Sequence, residues 1–299
     1  MIHQLDFNGN DKVDKVIMRL KAYESSEGYF LCFSGGKDSC VIKALADMAE
    51  VKYDAHYHAT SVDPPELVRF IKDNYPEVIF DYPRDKDGNR ITMWNLIPRK
   101  KMPPTRIVRY CCKELKEQSG KGRLKLAGVR WAESTNRKKN QGEVTFMDKN
   151  TKKVIEKELS DEDFSSTPRG GVVLHLDNVE NRRMVEMCYK THTTTVNPII
   201  DWSTDEVWEF IKEYKVPYCC LYDEGFKRLG CIGCPMGSVK QREAEFERYP
   251  KYKNLYLKAF EKMIENRGGT TKRQTDGSIG TSMEFSEMTP SEIMDWWIN

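Results

Sequence analysis

The fold is decided by the stretch Tyr29-Phe30-Leu31-Cys32-Phe33-Ser34-Gly35-Gly36-Lys37-Asp38-Ser39. Its first five residues form a short apolar run, which is typical of a strand buried on both faces of a sheet. The segment that follows, Cys40 to Ala49, has the pattern of a helix. A loop with two glycines therefore joins a buried strand to a helix, and an alternating α/β pattern begins here.

The same alternation continues along the first half of the chain. Further strands are predicted at Tyr53 to Tyr57, Val78 to Phe80 and Leu124 to Val129. Pro64-Pro65-Glu66 is a start signal for a helix after the second strand. Strands that alternate with helices favour an α/β fold with a doubly wound parallel sheet, covered by helices on both faces.

Composition suggests how the chain is organised. We predict an α/β domain over residues 1–200 and a helical, cysteine-containing region over residues 201–299. A polar segment at about 137–169 is predicted to be a surface insertion, formed by a hairpin that is followed by a mobile loop, and ordered structure is expected to return at Val172 to Leu174. Thr204 to Tyr214 is predicted as a helix capped by Thr204, and Trp296-Trp297 as a docking face for a partner.

Bulk properties exclude some classes of protein. The net charge of +2 over 299 residues gives no global case for nucleic-acid binding. No apolar run is long enough to span a membrane, and the N-terminus does not have the pattern of a signal peptide, so we expect a cytoplasmic protein without a membrane partner. Nine cysteines in a reducing compartment favour metal or redox chemistry over disulfides.

The glycine loop has the chemistry of a phosphate site. Gly35 and Gly36 allow backbone N–H groups to approach phosphate oxygens, and the start of the helix adds partial positive charge. Lys37 neutralises phosphate charge, whereas Asp38 is a candidate ligand for Mg²⁺. The hydroxyl groups of Ser34 and Ser39 are further donors. The Walker pattern of phosphate loops is absent.

The loop resembles the PP-loop of the ATP-pyrophosphatase superfamily. Further segments resemble the phosphoadenosine-phosphosulfate reductase family within it, and the likeness runs from about residue 28 to 236. Those segments are Val62 to Leu67, Gly128 to Arg137, Asn197 to Trp202 and Val216 to Gly225. The resemblance implies a fold like that of adenine nucleotide alpha-hydrolases and binding of ATP or a related adenine nucleotide. It also implies that Arg130 and Arg137 reach the anionic end of the substrate, and that Lys37, Asp38 and Arg130 are catalytic.

The clustered cysteines suggest a metal site. Cys111-Cys112 and the turn Cys231-Ile232-Gly233-Cys234 supply four thiols, which suit either zinc or an iron–sulfur cluster. The arrangement resembles the [4Fe-4S] site of adenylyl-sulfate reductases, and this favours iron. Cys219-Cys220 is open to three interpretations: metal ligands, redox dithiol or core. The isolated residues Cys32, Cys40 and Cys188 are predicted to be small buried side chains.

One departure from the family bears on function. Sulfonucleotide reductases that this chain resembles use a nucleophilic cysteine in a C-terminal segment, and no cysteine follows Cys234. We therefore expect an iron–sulfur-dependent sulfurtransferase of the ATP-pyrophosphatase type, resembling enzymes of DNA phosphorothioation or RNA thiolation. Two alternatives are a sulfonucleotide reductase that releases sulfite and a non-catalytic nucleotide-binding subunit.

The expected partners follow from that chemistry. The basic segment Arg99 to Tyr110 is a candidate contact for a nucleic-acid acceptor. A cysteine desulfurase or another sulfur donor would supply sulfur, and a homo-oligomer is compatible with the sequence.

Overall fold

The computed structural model describes residues 2–6, 9–146, 164–175, 194–267, 285 and 288–299. Within these residues it has ten helices and eight strands. The helices are α1 Lys12–Tyr23, α2 Lys37–Met48, α3 Pro65–Asn74, α4 Met93–Lys100, α5 Tyr110–Leu115, α6 Thr135–Asn140, α7 Thr204–Glu213, α8 Val239–Arg248, α9 Pro250–Arg267 and α10 Pro290–Ile298. The strands are β1 Tyr29–Cys32, β2 Tyr53–His58, β3 Ile79–Asp81, β4 Lys125–Leu126, β5 Val144–Phe146, β6 Phe164–Ser166, β7 Gly171–Leu174 and β8 Thr194–Val196.

The chain divides into two compact units that are discontinuous in sequence. The first comprises Met1–Tyr57, Glu66–Phe80 and Gly120–Leu229, and the second comprises His58–Pro65, Asp81–Ser119 and Gly230–Asn299. This division differs from the predicted boundary near residue 200. The reason is that α4 and α5, from the middle of the chain, share a hydrophobic core with the C-terminal helices.

The sheet of the first unit has the order β3-β2-β1-β4-β8-β5-β7-β6. Its centre is parallel, since β1 pairs in parallel with β2 and β4, and β4 pairs in parallel with β8. β1 is apolar because it is buried: Tyr29, Phe30 and Leu31 are at most 3% exposed. The predicted α/β class with a parallel-dominated sheet is confirmed.

The polar segment predicted as an insertion contributes strands to this sheet. β5 pairs antiparallel with β8 and β7, and β6 pairs antiparallel with β7. Val144, Phe164 and Val172 of these strands are buried. The sequence predicts a hairpin in this segment but not the pairing of β5 with β8 of the main sheet, because residues so far apart in the chain share no local pattern. Residues 147–163 of the segment lie outside the described residues.

Helices of the first unit pack beside the phosphate loop. Both α1 and α7 pack on α2, the helix that follows the loop. α7 begins after Ser203, which forms a capping box with Glu206. The helix was predicted at this place, but its cap is one residue before the expected Thr204.

The second unit is a helical cluster with an aromatic core. α9 packs on α4 and on α10, and the rings of Tyr256, Phe260 and Trp297 meet at its centre. Trp297 is 5% exposed, so the predicted docking face at Trp296-Trp297 is largely part of this unit's own core. In the described part of the chain, no helix is long and apolar enough to cross a membrane.

Candidate functional site

The phosphate loop is held in shape by its own serines. Ser39 donates from Oγ to the carbonyl oxygen of Gly36 at 2.8 Å, and the N–H of Gly36 lies 3.3 Å from Ser34 Oγ. Gly35 has φ +70°, and a Cβ there would lie 2.7 Å from Ile71 Cδ1. This position therefore requires glycine, both for its backbone conformation and for its close packing.

The first turn of α2 presents donors to an incoming anion. Within the described residues, the N–H groups of Asp38 and Ser39 have no acceptor, as expected for the first amides of a helix. Lys37 begins the helix, and its ammonium group lies 3.4 Å from Asp38 Oδ2. Two open amides, one ammonium group and the helix dipole together make a phosphate-binding arrangement.

Arg130 is fixed beside this loop. Its Nε donates to Asp38 Oδ1 at 2.7 Å, and its Nη1 donates to the carbonyl oxygen of Trp202 at 3.2 Å. Gly128 allows this close approach, since a Cβ there would lie 3.1 Å from Asp38 Cβ. Both carboxylate oxygens of Asp38 face cations in this arrangement. They orient Lys37 and Arg130, and they do not fit the predicted role as a magnesium ligand without rearrangement.

Further arginines share the electrostatic field of the loop. Arg137 forms an ion pair with Glu133, one helical turn earlier. Burial lowers the pKa of Arg137 from its ordinary value, and the positive charges of Arg228 and Arg130 lower it further. Arg130, Arg137 and Arg228 are thus close enough to interact electrostatically, and contact of Arg130 and Arg137 with the anionic end of a substrate stays a prediction. Sequence reasoning missed Arg228 because no motif contains it.

The turn from Cys220 to Tyr222 contacts the same loop. The N–H of Lys37 donates to the Tyr222 hydroxyl at 2.9 Å. On this turn Cys219 is buried, whereas Cys220 is exposed. Burial raises the pKa of Cys219 to about 11. Cys219 and Cys220 belong to the first unit, whereas the predicted metal ligands belong to the second.

The four predicted metal ligands all lie in the second unit. Cys111 and Cys112 are in the first turn of α5, and Cys231 and Cys234 flank a tight turn in which Gly233 has φ +71°. The structure records all four as free thiols. Among the described residues, no three Cys, His, Asp or Glu side chains are grouped in the geometry of a metal ion. Their role as ligands stays a prediction.

Charge links these four thiols to each other. The Cys111 thiol hydrogen-bonds to Cys112, and this bond lowers the pKa of Cys112 to about 6, with help from the positive charges of Lys116 and Arg109. The same bond raises the pKa of Cys111, and the negative charges of Cys231 and Cys234 raise it further. A thiolate is the form that binds metals, and the lowered pKa of Cys112 favours this form.

Three residues that support the cysteine turn were missed from the sequence. Glu245 accepts the N–H of Gly233 at 2.8 Å, and Thr60 Oγ1 lies 3.5 Å from Cys231 Sγ. The negative charge of Cys231 is the largest cause of the raised pKa of Lys116. Lys116 follows Cys112 by four residues, and this helical spacing was the available signal.

Comparison with known proteins decides the family. Residues 28–236 match the sequence profile of the phosphoadenosine phosphosulfate reductase domain. The chain belongs to this family. Membership supports an enzyme of the PP-loop superfamily that binds a nucleotide, and it agrees with the phosphate loop described above.

Curated relatives match short segments of the chain. An adenosine 5'-phosphosulfate reductase of Staphylococcus haemolyticus is 35% identical over 72 residues, which are 24% of this chain and 30% of that protein. The corresponding reductase of Oceanobacillus iheyensis is 49% identical over 39 residues, 13% of this chain and 16% of that protein. An uncharacterized protein of Methanocaldococcus jannaschii is 38% identical over 69 residues, 22% of this chain and 14% of that protein. The matched segments thus span less than a third of each of these relatives.

Among solved structures, a phosphoadenylyl-sulfate reductase of Candida auris in complex with phosphate matches with a TM-score of 0.42 and 13% identity. The match covers 76% of this chain and 96% of that chain. An FMN adenylyltransferase of Candida glabrata, in complex with FAD and inorganic pyrophosphate, matches with a TM-score of 0.40 and 14% identity, covering 74% of this chain and 63% of that chain.

Proposed function

We propose that the chain is a sulfurtransferase of the ATP-pyrophosphatase type, which adenylates an acceptor and replaces one of its oxygens by sulfur. The first turn of α2 supports this most. Its open amides at Asp38 and Ser39, beside the ammonium group of Lys37, suit the phosphates of ATP. The membership of the phosphoadenosine phosphosulfate reductase family agrees with a bound adenine nucleotide.

In the first step, an acceptor oxygen attacks the α-phosphorus of ATP. The bond from the α-phosphorus to the oxygen bridging to the β-phosphorus breaks, and pyrophosphate leaves with the bonding electrons. Lys37 and the two open amides stabilise the negative charge that accumulates on the phosphate oxygens. Arg130 is suited to orient the reacting phosphate, because Asp38 and the Trp202 carbonyl fix its guanidinium group.

In the second step, a sulfur nucleophile attacks the adenylated acceptor and AMP leaves with the original oxygen. The sulfur would come from an external donor such as a cysteine desulfurase, whose persulfide attacks through its terminal sulfur and becomes joined to the acceptor by a disulfide. An added thiol would then break that sulfur–sulfur bond, leaving the terminal sulfur on the acceptor and forming a disulfide with the donor cysteine. Mg²⁺ would accompany ATP as a ligand of its phosphates and not of Asp38, whose carboxylate is engaged by Lys37 and Arg130.

The cysteine set fits a [4Fe-4S] cluster by the chemistry of its donors. Cys111, Cys112, Cys231 and Cys234 are free thiols of one compact unit, and the pKa of Cys112 is lowered to about 6. These four residues would hold the cluster, which when bound supplies iron that can bind a terminal sulfur. Zinc is the other metal that the same thiols would bind.

A nucleic acid is the acceptor we propose. Between Arg99 and Tyr110 the chain has five cations and no carboxylate, and Ile107 at its tip is 87% exposed. Arg106 donates to the carbonyl oxygens of Pro235 and Gly237, so this loop is fixed beside the residues that follow Cys234. Exposed Lys101 and Arg109 suit contacts with phosphate groups.

An acceptor-dependence assay tests this function. Protein purified without oxygen is given ATP and Mg²⁺, and pyrophosphate is measured with and without single-stranded DNA or RNA. Release that increases when the nucleic acid is added supports the proposal. Pyrophosphate release that is the same with and without nucleic acid would reject a nucleic acid as the acceptor.

Reduction of a sulfonucleotide is the second candidate, and one observation favours it. The exposed Cys220 thiol is two residues from Tyr222, whose hydroxyl touches the phosphate loop. Its thiolate would attack the sulfur of adenylyl sulfate, breaking the sulfur–oxygen bond to AMP. Cys219 would then attack the resulting thiosulfonate, forming a disulfide and releasing sulfite. The test is sulfite formation from adenylyl sulfate in the presence of a thiol reductant. If wild type forms sulfite and Cys220→Ser does not, this second candidate is favoured over the first.

A further inference from the structure

Tyr222 occupies one donor of the phosphate loop. The N–H of Lys37, the first residue of α2, donates to its hydroxyl oxygen at 2.9 Å. A Cβ built on Gly36 would lie 3.4 Å from the same oxygen. The amides of Asp38 and Ser39 follow at once and are open, so an anion bound to them would be next to this phenol.

The hydroxyl of Tyr222 retains a proton to donate. A phenol can accept hydrogen bonds and also donate one, and here it accepts from Lys37. In the described part of the chain, no acceptor is found for its proton. Burial is the largest cause of the raised pKa of Tyr222, so the group stays protonated in the physiological range.

The ring is held so that the hydroxyl points at the loop. Trp208 of α7 meets the Tyr222 ring edge to face, with centroids 5.2 Å apart. The Lys37 ammonium group lies 5.6 Å from the centre of the same ring. α7 itself packs on α2, so the helix that carries Trp208 is fixed relative to the loop. A donor held in this way loses little entropy on binding a ligand.

We infer that the Tyr222 hydroxyl is a phosphate-binding group that makes the loop prefer a pyrophosphate unit over a single phosphate. It accepts from Lys37 and donates its own proton to an oxygen of the second phosphorus. The phenol hydroxyl thus donates in place of the Lys37 N–H, from a position 2.9 Å further from the loop backbone. That displacement is of the order of the spacing between neighbouring phosphorus atoms. A nucleotide with one phosphate fills the open amides and has no second phosphorus whose oxygen could accept the phenol proton.

This inference rests on the proposed function in one respect, that the loop binds the phosphates of a nucleotide. The test therefore compares ligands as well as variants. Calorimetry measures the binding of AMP and of an ATP analogue with a methylene group between its α- and β-phosphorus atoms. Wild type, Tyr222→Phe and Tyr218→Phe are compared. Tyr218 is the matched control, because it belongs to the same aromatic cluster and its hydroxyl bonds to Asp223.

Tyr222→Phe keeps the ring and removes only the hydroxyl. We expect it to weaken binding of the ATP analogue about tenfold or more, as for a hydrogen bond to a charged group, and binding of AMP less than about twofold. Tyr218→Phe should leave both affinities unchanged.

Four results would overturn the inference. Equal losses for both ligands would give Tyr222 a structural role only, and tighter binding by Tyr222→Phe would make the hydroxyl a competitor of the phosphate. Analogue binding by wild type with no change in Tyr222→Phe would reject the role of Tyr222 alone. Wild type that binds neither ligand would reject the inference together with nucleotide binding at the loop.

Discussion

Arg130 donates from Nε to Oδ1 of Asp38 at 2.7 Å, and the arginine is only 1% exposed. This pair joins the first turn of α2 to the segment that follows β4. A buried guanidinium group is stable only with a partner, and Asp38 provides it. The pair therefore contributes both to the shape of the loop and to the positive charge that a phosphate meets there.

Removing the arginine should destabilise the first unit. Arg130→Met removes the closer of the two cations beside the Asp38 carboxylate and leaves it with Lys37 alone, and we expect the free energy of unfolding to fall by about 3 kcal/mol. Arg137→Met is the control, since the more exposed pair of Arg137 with Glu133 should be worth at most about 1 kcal/mol. Urea denaturation followed by circular dichroism measures both. Equal losses in the two variants would contradict the structural role assigned to Arg130.

The two loop glycines should differ in what they tolerate. Gly35→Ala places a Cβ against Ile71 at a positive φ, and we expect a loss of about 1–3 kcal/mol in unfolding free energy. Gly36 has φ −78°, and a Cβ there would meet Ser34 and Tyr222 at 3.4 Å. Gly36→Ala should therefore fold with nearly normal stability. Thermal melts distinguish the two, and a reversed order would show that the loop has a different backbone.

Much of this loop could be predicted from the sequence. A buried strand, two glycines and a helix start are local features, and local features determine β1, α2 and the open amides. The contact between Tyr222 and Lys37 joins positions 185 residues apart, and no local pattern predicts it. The division into two units could not be predicted for the same reason. The core that α4 and α5 share with α9 and α10 brings together segments that are distant in sequence.

The cysteine positions illustrate the same limit. Their spacing predicted four ligands, and the structure shows all four in one compact unit. Their supporting groups, Glu245 and Thr60, carry no motif, because a carboxylate or hydroxyl that holds a turn is chosen by geometry alone. A hairpin was predicted in the polar segment, but the bounds of β5 to β7 and their place in the main sheet were not, since three or four residues are too few to display an alternating pattern.

Metal content should depend on the four clustered cysteines. Protein purified without oxygen is expected to contain about four irons per chain, as in one [4Fe-4S] cluster. Cys231→Ser should lose most of this iron, while Cys220→Ser, on the turn of the other unit, should retain it. Elemental analysis provides the measurement. Iron that survives in Cys231→Ser but disappears in Cys220→Ser would show that the cluster is assigned here to the wrong cysteines. One zinc per chain instead of iron would show that the four cysteines bind zinc.

The two vicinal thiols should react at different rates. Burial raises the pKa of Cys219 to about 11, so its thiolate is scarce at pH 8. Its alkylation by iodoacetamide should be slow there and rise about tenfold per pH unit up to about pH 11, because the thiolate is the reacting form. Cys220 is exposed and should be alkylated first. Mass spectrometry of the labelled peptide gives both rates, and a faster reaction of Cys219 at pH 8 would contradict the assigned burial.

The most direct test of the account is pyrophosphate release from ATP and Mg²⁺ by anaerobically purified protein, with wild type beside Lys37→Ala. A candidate nucleic-acid acceptor is included in each reaction. We predict release by wild type and a loss of at least about a hundredfold in the variant, as for removal of one group that stabilises transition-state charge. Equal release by the two proteins, or sulfite formation from adenylyl sulfate with no pyrophosphate from ATP, would contradict cleavage between the α- and β-phosphates at this loop.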